Sequence, residues 1–342
     1  MLLVIAGAGA SYDSVPSRAD LSSSVEDARL PLADGLFSAA PRYQALQARF
    51  PEVLPVVPKL ADRPEGTTVE DVLAGFVEDI PHYAKRASQL AAVRFYIQSL
   101  ISECEDKWYR ERPVATNMMR LVDMIERARG SRLHAAFVTF NYDRLIENAL
   151  ERFGQKFHTI DDYIQNGAYT LFKLHGSVDW VRSFGVTRPG AIGGDVVSIA
   201  NGICEHISDL PAPGPIERFY ATPPSLYKDA LALPAIAIPT REKTVFECPD
   251  AHLAVLKSQL PHVRTIITVG WRGAERHFLE LLGEHARERI NVICVSKGSA
   301  EAAAVCENLT PYLRGAHFEP YGPGFSTFIR EEKAQRLLNI TW

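Results

Sequence analysis

The sequence predicts an α/β fold: a parallel sheet with helices on both faces, plus a helical insertion. Three observations lead there. Short apolar, often β-branched runs recur at Leu2–Ala6, Ala135–Phe140, Tyr169–Leu174, Ala235–Ile238, Arg264–Val269 and Ile290–Val295. Such runs suit strands buried on both faces. Helix-like segments separate several of them, at Asp143–Phe153, Asp250–Leu260, Ala274–Ala286 and Ser299–Leu309. Alternating β and α elements imply a parallel sheet. Finally, the stretch between the first and second runs carries a helical period instead of a strand period.

The first strand runs directly into GAGAS, Gly7–Ser11, and a Pro- and Ser-containing loop follows before PLADGLF at Pro31–Phe37. From Pro41 to Gly130 the pattern is helical. Leu90, Val93, Ile97, Leu100, Ile101, Cys104 and Trp108 recur at three- and four-residue spacing, one face of an amphipathic helix. Thr67 or Thr68 with Glu70 or Asp71 offers an N-cap signal for a second helix. Residues 183–234 are rich in Gly, Pro and Ile and are expected to be an irregular insertion or lid. The whole chain, 1–342, is thus expected to be one domain, with 41–130 inserted into it as helices.

Composition removes several classes. With 46% hydrophobic and 23% charged residues over 342 positions, the chain can bury a large core and is not of disordered type. Its formal net charge of -4 gives no broad basic field, so direct nucleic-acid binding is not expected. No apolar run approaches the length of a membrane span. The opening MLLVIAGAGAS lacks a basic leader and turns at glycines. It therefore reads as a strand and not a signal peptide, and a cytoplasmic location with no membrane partner is expected. The cysteines Cys104, Cys204, Cys248, Cys294 and Cys306 contain no C-x-x-C pair, so no zinc or other metal is expected.

Five strand ends carry candidate chemistry. GAGAS lets the backbone turn tightly and brings N–H groups toward an anion, with the Ser11 hydroxyl as a further donor. An ordinary glycine turn is the alternative. Tyr12 fills the third glycine position of the dehydrogenase fingerprint, which argues against a simple nicotinamide oxidoreductase. In VTFNYD, Asn141 and Asp143 follow a strand, where open α/β sheets bind ligands. Asn141 can donate and accept. The alternative is an Asn–Asp helix cap. In KLHGSVDW, His175 ends a strand with Gly176 beside it, a candidate general base or a structural histidine at a turn. TVGWRG places Gly270 and Trp271 where an adenosine could lie. VICVSKG places Ser296 within reach of an adenine ribose. Either of the last two could be a plain loop.

In this order and spacing the motifs resemble those of sirtuins. GAGAS resembles the sirtuin phosphate loop, and Ser14-Val15-Pro16-Ser17 is similar to the Gly-Ile-Pro stretch after it. TFNYD resembles Thr-Gln-Asn-Ile-Asp, and LHG matches the catalytic histidine motif. PAIAIPTREKTVF, IITVGWRGAERHFLELL and INVICVSKG resemble the C-terminal half. Absence of the two cysteine pairs of the deacylases, together with GASYDSVPS and PLADGLF, makes the chain most similar to the sirtuin-like NADases of bacterial antiphage defence. Two departures are Ser14 in place of a glycine and Arg272 in place of a small hydroxyl residue.

The resemblance implies a Rossmann-like fold and NAD as substrate. It implies Asn141 and His175 as catalytic residues, His175 as base and Asn141 positioning ribose and water. It implies Gly7, Ala8, Gly9 and Ser11 as the phosphate loop and Asp143 near the nicotinamide amide. The activity implied is NAD glycohydrolysis. An ADP-ribosyltransferase, a protein deacylase or a non-catalytic NAD sensor are the competing readings. The resemblance further implies a homo-oligomer in complex with a partner, a HerA-type ATPase or else a short Argonaute. The helices of 41–130 are the expected contact surface, since amphipathic helices outside a sheet need cover.

Overall fold

The computed structural model describes residues 1–14, 29–111, 115–129, 134–165, 167–187, 194–220, 225–239 and 246–331. Val15 to Ser17 of the resemblance, and 240–245 of its later block, lie outside the described residues, as does the side chain of Trp108. The strands in chain order are β1 Leu2–Ala6, β2 Ala135–Thr139, β3 Tyr169–Lys173, β4 Gly176–Thr187, β5 Ile216–Arg218, β6 Leu226–Tyr227, β7 Ala230–Ile236, β8 Thr265–Val269, β9 Asn291–Val295 and β10 His317–Tyr321. They form two sheets, and the chain divides into two compact units.

The first unit comprises Met1–Leu30, Lys107–Leu174 and Cys248–Trp342. Its sheet is six-stranded and parallel, in the order β3-β2-β1-β8-β9-β10. Ala6 pairs with both Thr139 and Val269, and Val269 with Val295, so the carboxyl ends of the strands share one edge. This is the Rossmann-like arrangement, with helices flanking the sheet. Strands β1, β2, β3 and β8 are buried along their whole length. Covering both faces is what their unbroken apolar sequences require. Helix Ser299–Leu309 has the bounds its sequence predicts, and Asp250–Gln259, Arg276–His285 and Leu145–Glu151 sit within theirs. Strand β10 was not anticipated: HFEPY carries a proline, a charge and a histidine, and its side chains are mostly not buried.

The second unit comprises Pro31–Asp106 and His175–Glu247. Its four-stranded antiparallel sheet has the order β5-β4-β7-β6. Helices Pro41–Gln47, Val56–Ala61, Val69–Glu78 and Val196–Glu205, and most of Lys85–Glu111, belong here. Thr68 and Asp71 form the capping box of helix Val69–Glu78, one of the two pairings its sequence offers, contributing about 1 kcal/mol. The helix Asn117–Arg129 falls in the first unit, so the helical stretch is not one body. The 183–234 stretch is not irregular over its described residues: it holds the end of β4, a ten-residue helix, β5, β6 and most of β7. The run Ala235–Ile238 accordingly ends an antiparallel strand instead of joining the parallel sheet.

The long helix covers its own apolar face: Leu90, Val93, Ile97, Leu100, Ile101 and Cys104 are all buried within the chain. The reason for expecting a partner on that face therefore does not hold. Among the described residues, no helix is long and apolar enough to cross a membrane.

A buried histidine makes the first unit sensitive to acid. His252 is fully buried and its Nε2–H donates to the Ile160 carbonyl at 3.0 Å. Burial pushes its pKa down to about 4, whereas an unfolded histidine titrates near 6.5. Between those values the unfolded chain binds more protons. Stability present above pH 6.5 is therefore lost as the pH falls toward 4, by up to about 3 kcal/mol. The melting temperature is expected to drop over that window, and to drop less in His252→Gln. An identical slope in the variant would assign the acid sensitivity to other groups.

Candidate functional site

The carboxyl edge of the parallel sheet brings together most of the residues singled out in the sequence. β1 ends at Ala6, and Gly7 turns the chain into the five-residue helix Ala8–Tyr12. This turn lies against the turn after β8. The Gly7 N–H donates to the Val269 carbonyl at 3.0 Å and the Gly9 N–H to the Gly270 carbonyl at 3.1 Å. A Cβ on Gly7 would lie 2.6 Å from the Gly270 oxygen, and one on Gly270 only 2.2 Å from the Ala10 nitrogen. The glycines are thus demanded by backbone meeting backbone. That narrows the cradle expectation, because the Gly7, Gly9 and Ala10 amides already donate to the Val269, Gly270 and Gly7 carbonyls. Ala8 is the exposed residue of GAGAS. Valine at Gly9 would strike the Gly270 backbone, so such a variant would report on the turn and not on a phosphate.

Asn141 follows β2. Its Nδ2 donates to the Gly7 carbonyl and to Ser11 Oγ, both at 2.8 Å, and its backbone N–H donates to Thr139 Oγ1 at 3.1 Å. Ser11 Oγ in turn donates to Asp143 Oδ2 at 2.5 Å. These partners fix the orientation of the amide: Gly7 offers only an acceptor, and Ser11 has given its proton away. Asn141 therefore faces any ligand through Oδ1, as an acceptor only, and no described residue donates to that oxygen. The donor-and-acceptor reading from the sequence narrows to acceptor. Ser11, expected as a phosphate donor, serves instead as the link between Asn141 and Asp143.

Asp143 uses both carboxylate oxygens within the chain. Its Oδ1 accepts from the Leu145 N–H at 3.1 Å, capping the helix Leu145–Glu151, while Oδ2 holds Ser11. Gly270 has a positive φ of 55°. Trp271 is 2% exposed, stacked on Phe140 and edge-on to Phe278, with Nε1–H on Glu275. Its ring is occupied in packing. Ser296 follows β9, its N–H donates to the Tyr321 carbonyl at 3.0 Å, and among the described residues its hydroxyl has no partner.

Sequence reasoning missed Lys173, the last residue of β3. It is fully buried, and its Nζ lies 2.9 Å from Glu147 Oε1 and donates to the Asp143 carbonyl. A lysine inside an otherwise apolar strand sequence was the available signal.

His175 belongs to the second unit, just before β4, and is 6% exposed. Its carbonyl accepts from the Ala237 N–H at 3.0 Å. Gly176 has a φ of 82°, and a Cβ there would lie 1.9 Å from the Ala235 oxygen. This glycine lets β4 approach β7. After it the register of β4 against β7 shifts, and Gln98 Nε2 donates to the Val178 carbonyl at 3.0 Å within the shifted stretch.

Residues 135–192 match the family model of the SIR2-like domain. Over this segment the chain is sirtuin-like. The sirtuin-like segment contains Asn141, Asp143, Lys173 and His175. Solved structures similar to this chain include one of Sir2Tm bound to a propionylated peptide, at 13% identity over 99% of this chain and 94% of that chain, with a TM-score of 0.44. Another is a complex of a Sir2 homologue mutant with ADP-ribose, at 14% identity over 100% and 94%, with a TM-score of 0.40. No curated protein matches in sequence. None of the five cysteines forms a disulfide, and among the described residues no cluster of His, Cys, Asp and Glu could hold a metal.

Proposed function

We propose that the chain is an NAD glycohydrolase, cleaving NAD to nicotinamide and ADP-ribose. One observation carries the reading. Asn141 presents an open Oδ1 at the carboxyl edge of a doubly wound sheet, locked by its own Nδ2 bonds to Gly7 and Ser11. Dinucleotides bind outside that edge in such sheets. A locked acceptor orients a ribose hydroxyl or a water, without a proton of its own to give.

The chemistry asks for little more. The C1′–N bond breaks with its electron pair going to nicotinamide, which leaves neutral and needs no acid. Positive charge builds on the ribose, and the water oxygen bonds to C1′. Its proton goes to a base, the role assigned to His175 by the LHG motif. Asp143 holds Ser11, and through it Asn141. In this reading Ala8 and the glycines Gly7, Gly9 and Gly270 border the phosphates, and the Ser296 hydroxyl meets the adenine ribose.

The resemblance to defence NADases extends the proposal to an antiphage effector, a homo-oligomer controlled by a second protein. A HerA-type ATPase is favoured over a short Argonaute. An enzyme that empties its host of NAD must be silent until triggered, and no sensing module is legible in this chain.

Incubating the purified protein with NAD and separating the products by chromatography tests the reading. Nicotinamide and ADP-ribose are expected in equal amounts, faster with the second protein than without it. Nicotinamide formed only with an acylated peptide present would make the chain a deacylase. Thermal stabilisation by NAD with no product would make it a sensor.

A further inference from the structure

Lys173 is a charged side chain with no exposure, and the proposed chemistry does not use it. Burying an ammonium is costly unless it is paired and hydrogen-bonded. Here it is both. Nζ pairs with Glu147 Oε1 at 2.9 Å, and that same oxygen accepts from Tyr163 OH at 3.2 Å. The second bond from Nζ goes to the main-chain carbonyl of Asp143. From there one path of hydrogen bonds continues: Asp143 Oδ2 to Ser11 Oγ, Ser11 Oγ to Asn141 Nδ2, Asn141 Nδ2 to the Gly7 carbonyl.

We propose that Lys173 is the positioning residue of the candidate site: its ammonium pins the turn from Asn141 to Asp143 and so aims Asn141 Oδ1. The inference rests on the glycohydrolase reading for its kinetic consequence, but its structural content is independent of that reading.

The turn needs such a pin. Asp143 stands between β2 and the helix Leu145–Glu151, and its own side chain is divided between Ser11 and the Leu145 N–H. Those bonds fix its carboxylate. Its peptide plane is held by Lys173, which arrives from the neighbouring strand, since Thr139 at the end of β2 is in register with Lys173 at the end of β3. Glu147 lies one helical turn after Asp143 and returns the charge. The ammonium is thereby directed by two acceptors, one in the connection after β2 and one in the helix it leads into. A neutral residue of equal length would fill the space without directing anything.

Lys173→Met alone takes the ammonium away from the buried Glu147 carboxylate, which is strongly destabilising. The informative variant is Lys173→Met with Glu147→Gln, which removes both charges together. Two readouts separate positioning from mere support. First, kcat for nicotinamide release is expected to fall about 10²-fold while KM for NAD stays within about threefold, the pattern of a misaimed group in an otherwise intact pocket. Second, the side-chain amide signals of Asn141 in a nitrogen–proton NMR spectrum, identified by their loss in Asn141→Ser, are expected to shift and to exchange faster with solvent. Tyr163→Phe is the milder variant, should the double variant fail to fold. It removes the Tyr163 hydrogen bond to Glu147 and is expected to lower kcat about threefold, the size of one modest hydrogen bond.

Unchanged Asn141 signals with an unchanged kcat, whatever the melting temperature does, would overturn the proposal. If the wild-type protein releases no nicotinamide at all, the glycohydrolase reading falls, and the Asn141 signals alone then decide whether Lys173 aims that side chain.

Discussion

Asn141→Ala and His175→Ala are each expected to lower nicotinamide release by at least about 10²-fold while leaving the protein folded. The two losses have different origins. At His175 the variant removes the base assigned to take the proton of the attacking water. At Asn141 it removes the open Oδ1 and also releases the Gly7 carbonyl and Ser11 Oγ. Asn141→Asp sharpens the test. It keeps an acceptor of the same shape but has no protons for Gly7 or Ser11, and it sets a carboxylate beside that of Asp143. It is expected to be as inactive as the alanine variant. Single-turnover release of nicotinamide, beside a melting curve, measures all three. Turnover within about threefold of wild type in Asn141→Asp would mean that the amide donors are dispensable.

Gly176→Ala is expected to destabilise the protein by about 3 kcal/mol or more. The native φ of 82° disfavours any side chain, and the new Cβ would lie 1.9 Å from the Ala235 oxygen. The strand pair cannot close without moving one backbone. Gly75→Ala is the matched control. Gly75 lies in helix Val69–Glu78 with nothing within 4 Å of a built Cβ. Alanine there is expected to add about 0.5–1 kcal/mol, the usual helical preference over glycine. Thermal melts of the two variants should therefore move in opposite directions. A Gly176→Ala protein that melts with wild type would show that β4 and β7 separate at little cost.

The parallel sheet was legible because its strands are short and apolar on both faces, and because the helices between them keep a clear period. Leu2–Ala6 and Ser299–Leu309 could be read almost to the residue. The antiparallel sheet was not legible, for two physical reasons. Its β6–β7 hairpin turns at Lys228 and Asp229, both with positive φ, 50° and 66°. Such a turn normally announces itself by Asn-Gly or Asp-Gly. Then β4 shifts register twice against β7, which breaks the alternation that marks a half-buried strand.

At the site, the residue types after β1 and β2 were legible, but their division of labour was not. Whether Ser11 gives its proton to a ligand or to Asp143 depends on a contact across 132 positions of chain. Whether the glycines of GAGAS make room for phosphate or for Gly270 depends on a turn that far away again. TVGWRG read as a place where an adenosine could lie, and the stacking of Trp271 on Phe140 is invisible in one dimension.

The strand order has a consequence for how the molecule is made. β1 lies at the centre of its sheet, yet one of its two neighbours, β8, begins only at Thr265. During synthesis β1 can pair with β2 once that strand emerges, but its other edge stays bare for on the order of tens of seconds at ordinary translation speeds. A bare apolar strand edge is a template for pairing with another chain. The pairing that ends this exposure joins strands far apart in the sequence, so it comes late and slowly. The nascent protein therefore spends much of its synthesis with a half-built sheet, and its yield depends on what shields LLVIA until β8 arrives.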